Sequence, residues 1–193
     1  MIYINKNSEP AWLIDFKKKN PKSLYSSDEF TSYRTKLRET LIQEQKGLCA
    51  YCCCKINIDS SLNEHIEPQN LKGGGKSKKT LDYNNLVASC KKIRSEQTCG
   101  AAKGNEYNET KFISPLNPNC ENVFKYLPDG TITGDEYTIN LLNLNASWLI
   151  EARRAVYKQL LSCNKKEIEE IFCSDPDNLY NFTDVIRYYL KTH

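Results

Sequence analysis

The sequence has few of the residues and segments that mark several common protein classes. Its 193 residues include two histidines and one methionine. No apolar run approaches the ~20 residues that a membrane-spanning helix needs. The first residues, MIYINKNSEPAW, lack the basic stretch followed by an apolar stretch that is typical of a secretory signal. We therefore expect a cytoplasmic protein that does not enter a membrane.

The remaining composition is that of an ordinary globular chain with a mild excess of positive charge. Hydrophobic residues make up 39% and charged residues 26%, and the formal net charge is +3, which is typical of a folded chain rather than a disordered one. Lysines concentrate in three runs, Lys17–Lys19, Lys72–Lys79 and Lys91–Arg94. Such runs are either solvated faces or contacts to nucleic acid, and the sequence leaves both interpretations open.

The order of sequence patterns divides the chain into three parts. Residues 1–45 contain a short apolar stretch and a helix predicted from Ser26 onward, and they are a candidate surface for docking a partner protein. Residues 46–112 contain short apolar segments separated by loops, as in a module held together by metal. Residues 113–193 contain an Asp-Gly hairpin signal and then helical patterns. We expect one α+β unit with a small central core and helical flanks.

The chain has nine cysteines, which should be thiols rather than disulfides in a protein that is not exported. Cys49 and Cys52 form a CxxC knuckle, in which two thiolates bind one ion from a tight turn. Cys90 and Cys99 are spaced more widely, but zinc requires four tetrahedral ligands and no fixed spacing. We predict a structural zinc site formed by these four cysteines.

Other interpretations of the cysteines stay open in the sequence. Cys53 or Cys54 could replace Cys52 as a ligand, although the CxxC spacing favours Cys52. The group could also be a chance cluster of buried thiols or a CxxC redox pair, and the redox pair requires a βαβ context that the sequence does not indicate. The remaining cysteines stand alone and are expected to be core or surface thiols: Cys120, Cys163 and Cys173.

His65 lies between the two cysteine pairs, whereas the other histidine is the last residue of the sequence. Histidine is the usual general base near neutral pH, so His65 is the candidate base if the chain hydrolyses a substrate. The preceding Glu64 is a hard oxygen ligand suited to Mg²⁺ or Mn²⁺. In a regular strand the two side chains would face opposite ways. A structural role is the alternative for His65.

The segment EHIEPQ at 64–69 resembles the acidic-His-hydrophobic-x-Pro signature of HNH endonucleases. Asn85, further along the chain, resembles the central asparagine of that motif. The flanking cysteine pairs resemble those of the zinc-stapled subtype. The resemblance implies a ββα-metal core that hydrolyses phosphodiester bonds of DNA or RNA at a single divalent ion.

The resemblance also implies a role for each site residue. His65 would deprotonate the attacking water, and Asn85 would orient the loop that carries His65, although a turn residue is an equal interpretation of Asn85. Glu64 and Asn105 would hold Mg²⁺ or Mn²⁺. Gly100 stands where many HNH nucleases have a His or Asn ligand, which leaves Asn105 as the substitute.

Longer stretches resemble the PtuB family, the HNH component of Septu-type and retron-associated anti-phage systems. The matching stretches are CAYC, EHIEPQ, YNNLVASC, CGAAKGN, PLNP and LLNLN. This resemblance implies a complex with an ATPase of the PtuA family. In retron systems it also implies a reverse transcriptase and its RNA or DNA product as partners. It does not select between DNA and RNA, including tRNA, as the substrate.

Two rival functions can be weighed from the sequence. The loop GGGKS at 73–77 imitates the end of an ATP-binding P-loop but lacks the first glycine and the flanking strand and helix. Contact with a nucleic-acid backbone is the better prediction for it. A zinc-ribbon module that binds nucleic acid or a protein without catalysis would explain the cysteines and lysines. It would not explain the order of acidic residue, His, Pro and Asn.

Overall fold

The computed structural model describes residues 1–72, 74–91 and 96–193. The α-helices in these ranges are α1 (Ala11–Lys19), α2 (Asp28–Thr31), α3 (Arg34–Glu44), α4 (Cys99–Lys103), α5 (Glu136–Leu141), α6 (Ser147–Leu161), α7 (Lys165–Phe172) and α8 (Thr183–Thr192). The strands are β1 (Ser61–His65), β2 (Leu86–Cys90), β3 (Lys125–Tyr126) and β4 (Ile132–Thr133). No helix within the described ranges is both long and apolar enough to cross a membrane.

The centre of the chain is a two-stranded sheet with a short helix against it. β1 pairs antiparallel with β2, so that Ser61 lies opposite Cys90 and His65 lies opposite Leu86. Every residue of β2 is buried, because α3 packs on both strands and α4 packs on β2. The sheet and α4 thereby bring three separate segments of the predicted site together.

The N-terminal helices differ from the single helix that the sequence predicts after Ser26. The structure has α2 and α3 instead, separated at residues 32–33. The break places Phe30 and Tyr33 against α1, where the Phe16 ring lies 5.0 Å from each of their rings. The break between α2 and α3 is therefore accompanied by packing of its aromatic side chains on α1.

The C-terminal part contains the predicted Asp-Gly hairpin, β3–β4, which packs against α6. Gly130 at its tip has φ +90°, and a Cβ there would lie 2.0 Å from the backbone oxygen of Ile150. The buried Arg153 of α6 donates to the Gly130 carbonyl at 3.1 Å. On the other side of the hairpin, the amino group of Met1 pairs with Asp184 of α8 at 2.7 Å. These contacts join the two ends of the described chain to one core.

Candidate functional site

Four cysteine side chains meet at one end of the central sheet. The sulfur atoms of Cys49, Cys52, Cys90 and Cys99 are buried and all lie within 4.8 Å of one another. A tetrahedral zinc ion with Zn–S bonds of about 2.3 Å would place its sulfur ligands about 3.8 Å apart. The sulfurs of Cys52 and Cys90 are 3.9 Å apart. The cluster therefore fits a structural zinc ion, and its members are the four predicted ligands.

The backbone around the first knuckle presents the sulfurs to one another. The N–H of Cys49 donates to the Cys54 carbonyl at 2.8 Å, and the N–H of Cys53 donates to the Cys49 carbonyl at 3.1 Å. The Cys90 N–H donates to the Cys49 sulfur at 3.3 Å. A hydrogen bond to the sulfur favours the thiolate form that a metal requires.

The thiols of this segment differ in acidity. Hydrogen bonds from neighbouring thiols, that of Cys49 first, hold the pKa of Cys52 well below its ordinary value. Burial raises the pKa of Cys53 well above its ordinary value. A hydrogen bond to Cys52 raises the pKa of Cys54. Cys53 and Cys54 do not belong to the group of four sulfurs, so the structure favours Cys52 as the ligand.

Glu64 of β1 is buried and paired with a lysine. Its Oε1 lies 2.9 Å from the Nζ of Lys103 on α4, and the lysine side chain is 1% exposed. The Tyr51 hydroxyl donates to the same oxygen at 3.3 Å. Burial raises the pKa of Glu64, while Lys103 and Tyr51 oppose that rise. Lys103 also donates to the backbone carbonyl of His65 at 3.0 Å.

Gly100 is the residue that allows Glu64 to reach this position. A Cβ at residue 100 would lie 2.6 Å from Oε2 of Glu64, closer than real side chains approach. The carboxylate therefore fills the space that a His or Asn at position 100 would need. The place expected to supply a metal ligand from α4 is taken by Glu64 itself, with Lys103 beside it.

His65 ends β1 and is 5% exposed. Its Nε2 lies 3.0 Å from the Thr80 carbonyl. A carbonyl only accepts hydrogen bonds, so Nε2 carries the proton and Nδ1 is the nitrogen that can take one up. The Tyr25 ring packs edge-on against the imidazole at 4.7 Å. Burial lowers the pKa of His65 to about 4, a nearby Lys103 adds to this, and the Thr80 bond opposes it.

Asn85 lies in a 3-10 turn and also bonds to the segment that follows His65. Its Oδ1 accepts from the Glu67 N–H at 2.8 Å, and its Nδ2 donates to the carbonyls of Glu67 and Lys79 at 3.0 and 3.1 Å. Its own carbonyl accepts from the Ile66 N–H at 3.0 Å. The side chain thereby ties both ends of the 66–79 loop to the start of β2.

A divalent ion at Glu64 does not fit the arrangement described. The Glu64 carboxylate already has an ammonium group at 2.9 Å. Asn105 lies exposed in the turn after α4. In the described ranges, the four cysteines are the one group of three or more His, Cys, Asp or Glu side chains close enough to share an ion. The Mg²⁺ or Mn²⁺ ion predicted at Glu64 and Asn105 would therefore have to displace the Lys103 ammonium group from the carboxylate.

Most lysines of the 72–79 loop are engaged within the chain. The amino group of Lys72 donates to Glu106 at 3.0 Å, that of Lys76 to Asn70 at 2.6 Å, and that of Lys79 to Glu67 at 2.8 Å. Gly73 of the GGGKS stretch and residues 92–94 of the third lysine run lie outside the described residues. The described part of the loop is followed by turns rather than by the helix that a P-loop requires.

Comparisons with known proteins give one informative relative. The sequence matches no family profile. It is 29% identical over 218 aligned positions to a protein of Escherichia coli named "Retron Ec83 putative HNH endonuclease". The alignment covers 86% of this chain and 83% of the relative. This similarity extends over most of the chain and supports a nuclease of the HNH type in a retron context.

Proposed function

We propose that the chain is an HNH-type endonuclease that hydrolyses phosphodiester bonds of nucleic acid with His65 as its general base. The observation that carries this proposal is the hydrogen bond from His65 Nε2 to the Thr80 carbonyl, which leaves Nδ1 to accept a proton. A lowered pKa keeps the imidazole neutral near pH 7. The similarity to a relative named as an HNH endonuclease supports the same function independently.

The proposed reaction gives each residue a defined task. A proton of the attacking water passes to Nδ1 of His65 while the water oxygen bonds to phosphorus. The leaving oxygen departs with the electron pair of the broken bond and takes a proton from solvent. Asn85 positions His65 by tying the following segment to β2. Lys103 is a positioning residue as well, because its ammonium group holds both the Glu64 carboxylate and the His65 carbonyl. The four cysteines would hold the structural zinc ion that fixes the two cysteine pairs to the central sheet.

The pH dependence of cleavage should reflect the lowered pKa of His65. We expect kcat/KM to stay level from about pH 8 down to about pH 5 and to fall toward pH 4, because the base works only when neutral. The imidazole is buried beside the Tyr25 ring. Burial and the positive charge of Lys103 both lower its pKa. His65 binds a proton more tightly in the unfolded chain than in the folded one. The free energy of unfolding should therefore also decline as the pH falls from about 6.5 to 4. Rates should therefore be compared only where circular dichroism is unchanged, and half-maximal kcat/KM near pH 6.5 would contradict this assignment.

The metal requirement can be tested at Lys103 without an activity assay. We expect the zinc-loaded chain to leave the electron paramagnetic resonance signal of aqueous Mn²⁺ unchanged, since the ammonium occupies the place of a cation at Glu64. Lys103→Ala should bind Mn²⁺ and should be destabilised by about 3–5 kcal/mol without it, because it leaves a buried carboxylate uncompensated. Lys166→Ala, which removes a partner of the exposed Glu170, is the control. Stoichiometric Mn²⁺ binding by the wild type, lost in Glu64→Gln, would instead support Glu64 as a metal ligand.

We further propose that the nuclease works in an anti-phage complex with a PtuA-like ATPase, and with a retron reverse transcriptase and its RNA or DNA product. The retron relative supports the retron context. Residues 1–45 and the C-terminal helices are the candidate docking surfaces. Co-purification with the products of neighbouring genes tests the complex. Cleavage assays on plasmid DNA, single-stranded DNA and tRNA, with and without those products, then test the activity.

The second candidate function is a zinc-ribbon module that binds nucleic acid or a protein without catalysis. The near-complete burial of His65 favours it, since a buried histidine can be purely structural. The described arrangement of the imidazole against a carbonyl suits either role. Loss of cleavage in a folded, zinc-loaded His65 variant separates the two.

A further inference from the structure

A groove of about 400 Å³ lies between the C-terminal end of α1 and the segment that follows the glycine–lysine loop. Lys17 and Lys22 line it on one side, and Lys78 lines it on the other. Asp82 is the one acidic residue among the described residues of the lining. Two of the lysine runs seen in the sequence thus meet at one surface, where three positive charges face one negative charge.

Two of these lysines are available to a ligand. Lys22 and Lys78 are exposed, and no carboxylate of the described ranges lies within 4.0 Å of either amino group. Lys17 differs, since it pairs with Glu9 at 2.5 Å. Lys79, the neighbour of Lys78, pairs with Glu67 outside the groove. The structure therefore distinguishes Lys22 and Lys78 from the lysines already neutralised within the chain.

The groove is joined to His65 through a single residue. Thr80 lies in its lining, and the Thr80 carbonyl is the group that accepts from His65 Nε2 at 3.0 Å. The Thr80 hydroxyl accepts from the Tyr25 N–H at 3.4 Å, and the Tyr25 ring covers the imidazole. Tyr25 belongs to the same α1–α2 connection as Lys22. A ligand in the groove would therefore contact the segments that hold the proposed base.

We propose that this groove binds the sugar–phosphate backbone of the nucleic-acid substrate, with Lys22 and Lys78 contacting phosphates. This inference rests on the proposed function, because it assigns the binding surface of the same site. Lysine ammonium groups bind phosphates as point charges and carry no sequence information. The sequence predicts contact with a nucleic-acid backbone for the GGGKS loop at 73–77. The present proposal places that contact just after this loop, at Lys78, and adds Lys22 from the α1–α2 connection.

The test measures binding in a His65→Ala background, so that cleavage does not interfere. Fluorescence anisotropy of labelled single-stranded DNA, single-stranded RNA and duplex DNA is followed from low to high KCl. Each lost phosphate contact lowers the slope of log affinity against log salt by about 0.7 for single strands and about 0.9 for duplex DNA. Lys22→Gln combined with Lys78→Gln should therefore lower that slope by about 1.4 or about 1.8.

The matched control is Lys158→Gln combined with Lys165→Gln, which removes the same net charge from exposed positions on α6 and at the start of α7. This pair should leave the slope unchanged. An equal change in both pairs, or none in the groove pair, would overturn the proposal. With His65 restored, a groove variant that cleaves with a raised KM and unchanged kcat supports it. A chain that binds through the groove but cleaves nothing would refute the nuclease and leave the binding surface standing.

Discussion

Replacement of His65 by alanine is expected to lower phosphodiester cleavage by about 10²–10⁴-fold, the usual contribution of a positioned general base. The loss should appear in kcat, because the imidazole acts on the attacking water and the groove lysines supply binding. The variant should remain folded with its zinc, since the ring donates to one backbone carbonyl and the site cysteines are untouched. Cleavage of the substrate identified in the DNA and tRNA assays is the measurement.

The chain supplies a natural control for this experiment. His193 is the only other histidine, and it is exposed at the end of the described chain. His193→Ala should cleave at the wild-type rate. If His65→Ala folds, keeps one zinc ion and cleaves as fast as the wild type, the nuclease assignment fails at its central residue and the zinc-ribbon function is favoured.

The sequence predicted the parts of the site that depend on short spacings. A CxxC knuckle restricts two thiolates to one turn, and zinc then needs two more thiolates from elsewhere. The structure brings Cys90 and Cys99 to that turn. Likewise, the hairpin at residues 125–133 followed from an Asp-Gly pair, whose local backbone preference does not depend on the rest of the chain.

Long-range contacts could not be predicted in the same way. Lys103 lies in the CGAAKGN stretch that resembles the PtuB family. Nothing in that stretch indicates that its ammonium group reaches the carboxylate of Glu64, which lies in β1. From the sequence alone, Gly100 indicates only that a metal ligand is missing at this position. In the structure its lack of a side chain makes room for Glu64, which is visible only when β1 and α4 are packed together. The carbonyl partner of His65 is a backbone atom, so side-chain identity gives no signal for it.

Replacement of Cys52 by serine is expected to release the zinc ion and to unfold the central part of the chain, residues 46–112. Structural zinc sites with thiolate ligands contribute apparent binding free energies of about 10–16 kcal/mol, comparable to the about 5–15 kcal/mol that stabilise a typical domain. The central sheet has five residues in each strand, and the cysteine cluster joins both knuckles to it. The zinc content should fall from one ion per chain to almost none, and each 1 kcal/mol of stability lost with the ion would lower Tm by about 2–4 °C. Because β1 carries His65, cleavage should be lost as well.

Two further serine variants make this result specific. Cys173→Ser changes an exposed cysteine outside the cluster and should keep the zinc ion and the wild-type Tm. Cys54→Ser tests the alternative ligand, and it should also keep the ion, since Cys54 is not one of the four grouped sulfurs. Zinc content by plasma mass spectrometry and thermal unfolding are measured on all three variants. Retention of zinc in Cys52→Ser together with its loss in Cys54→Ser would move the ligand to Cys54, while retention in both would show that these thiols do not hold the metal.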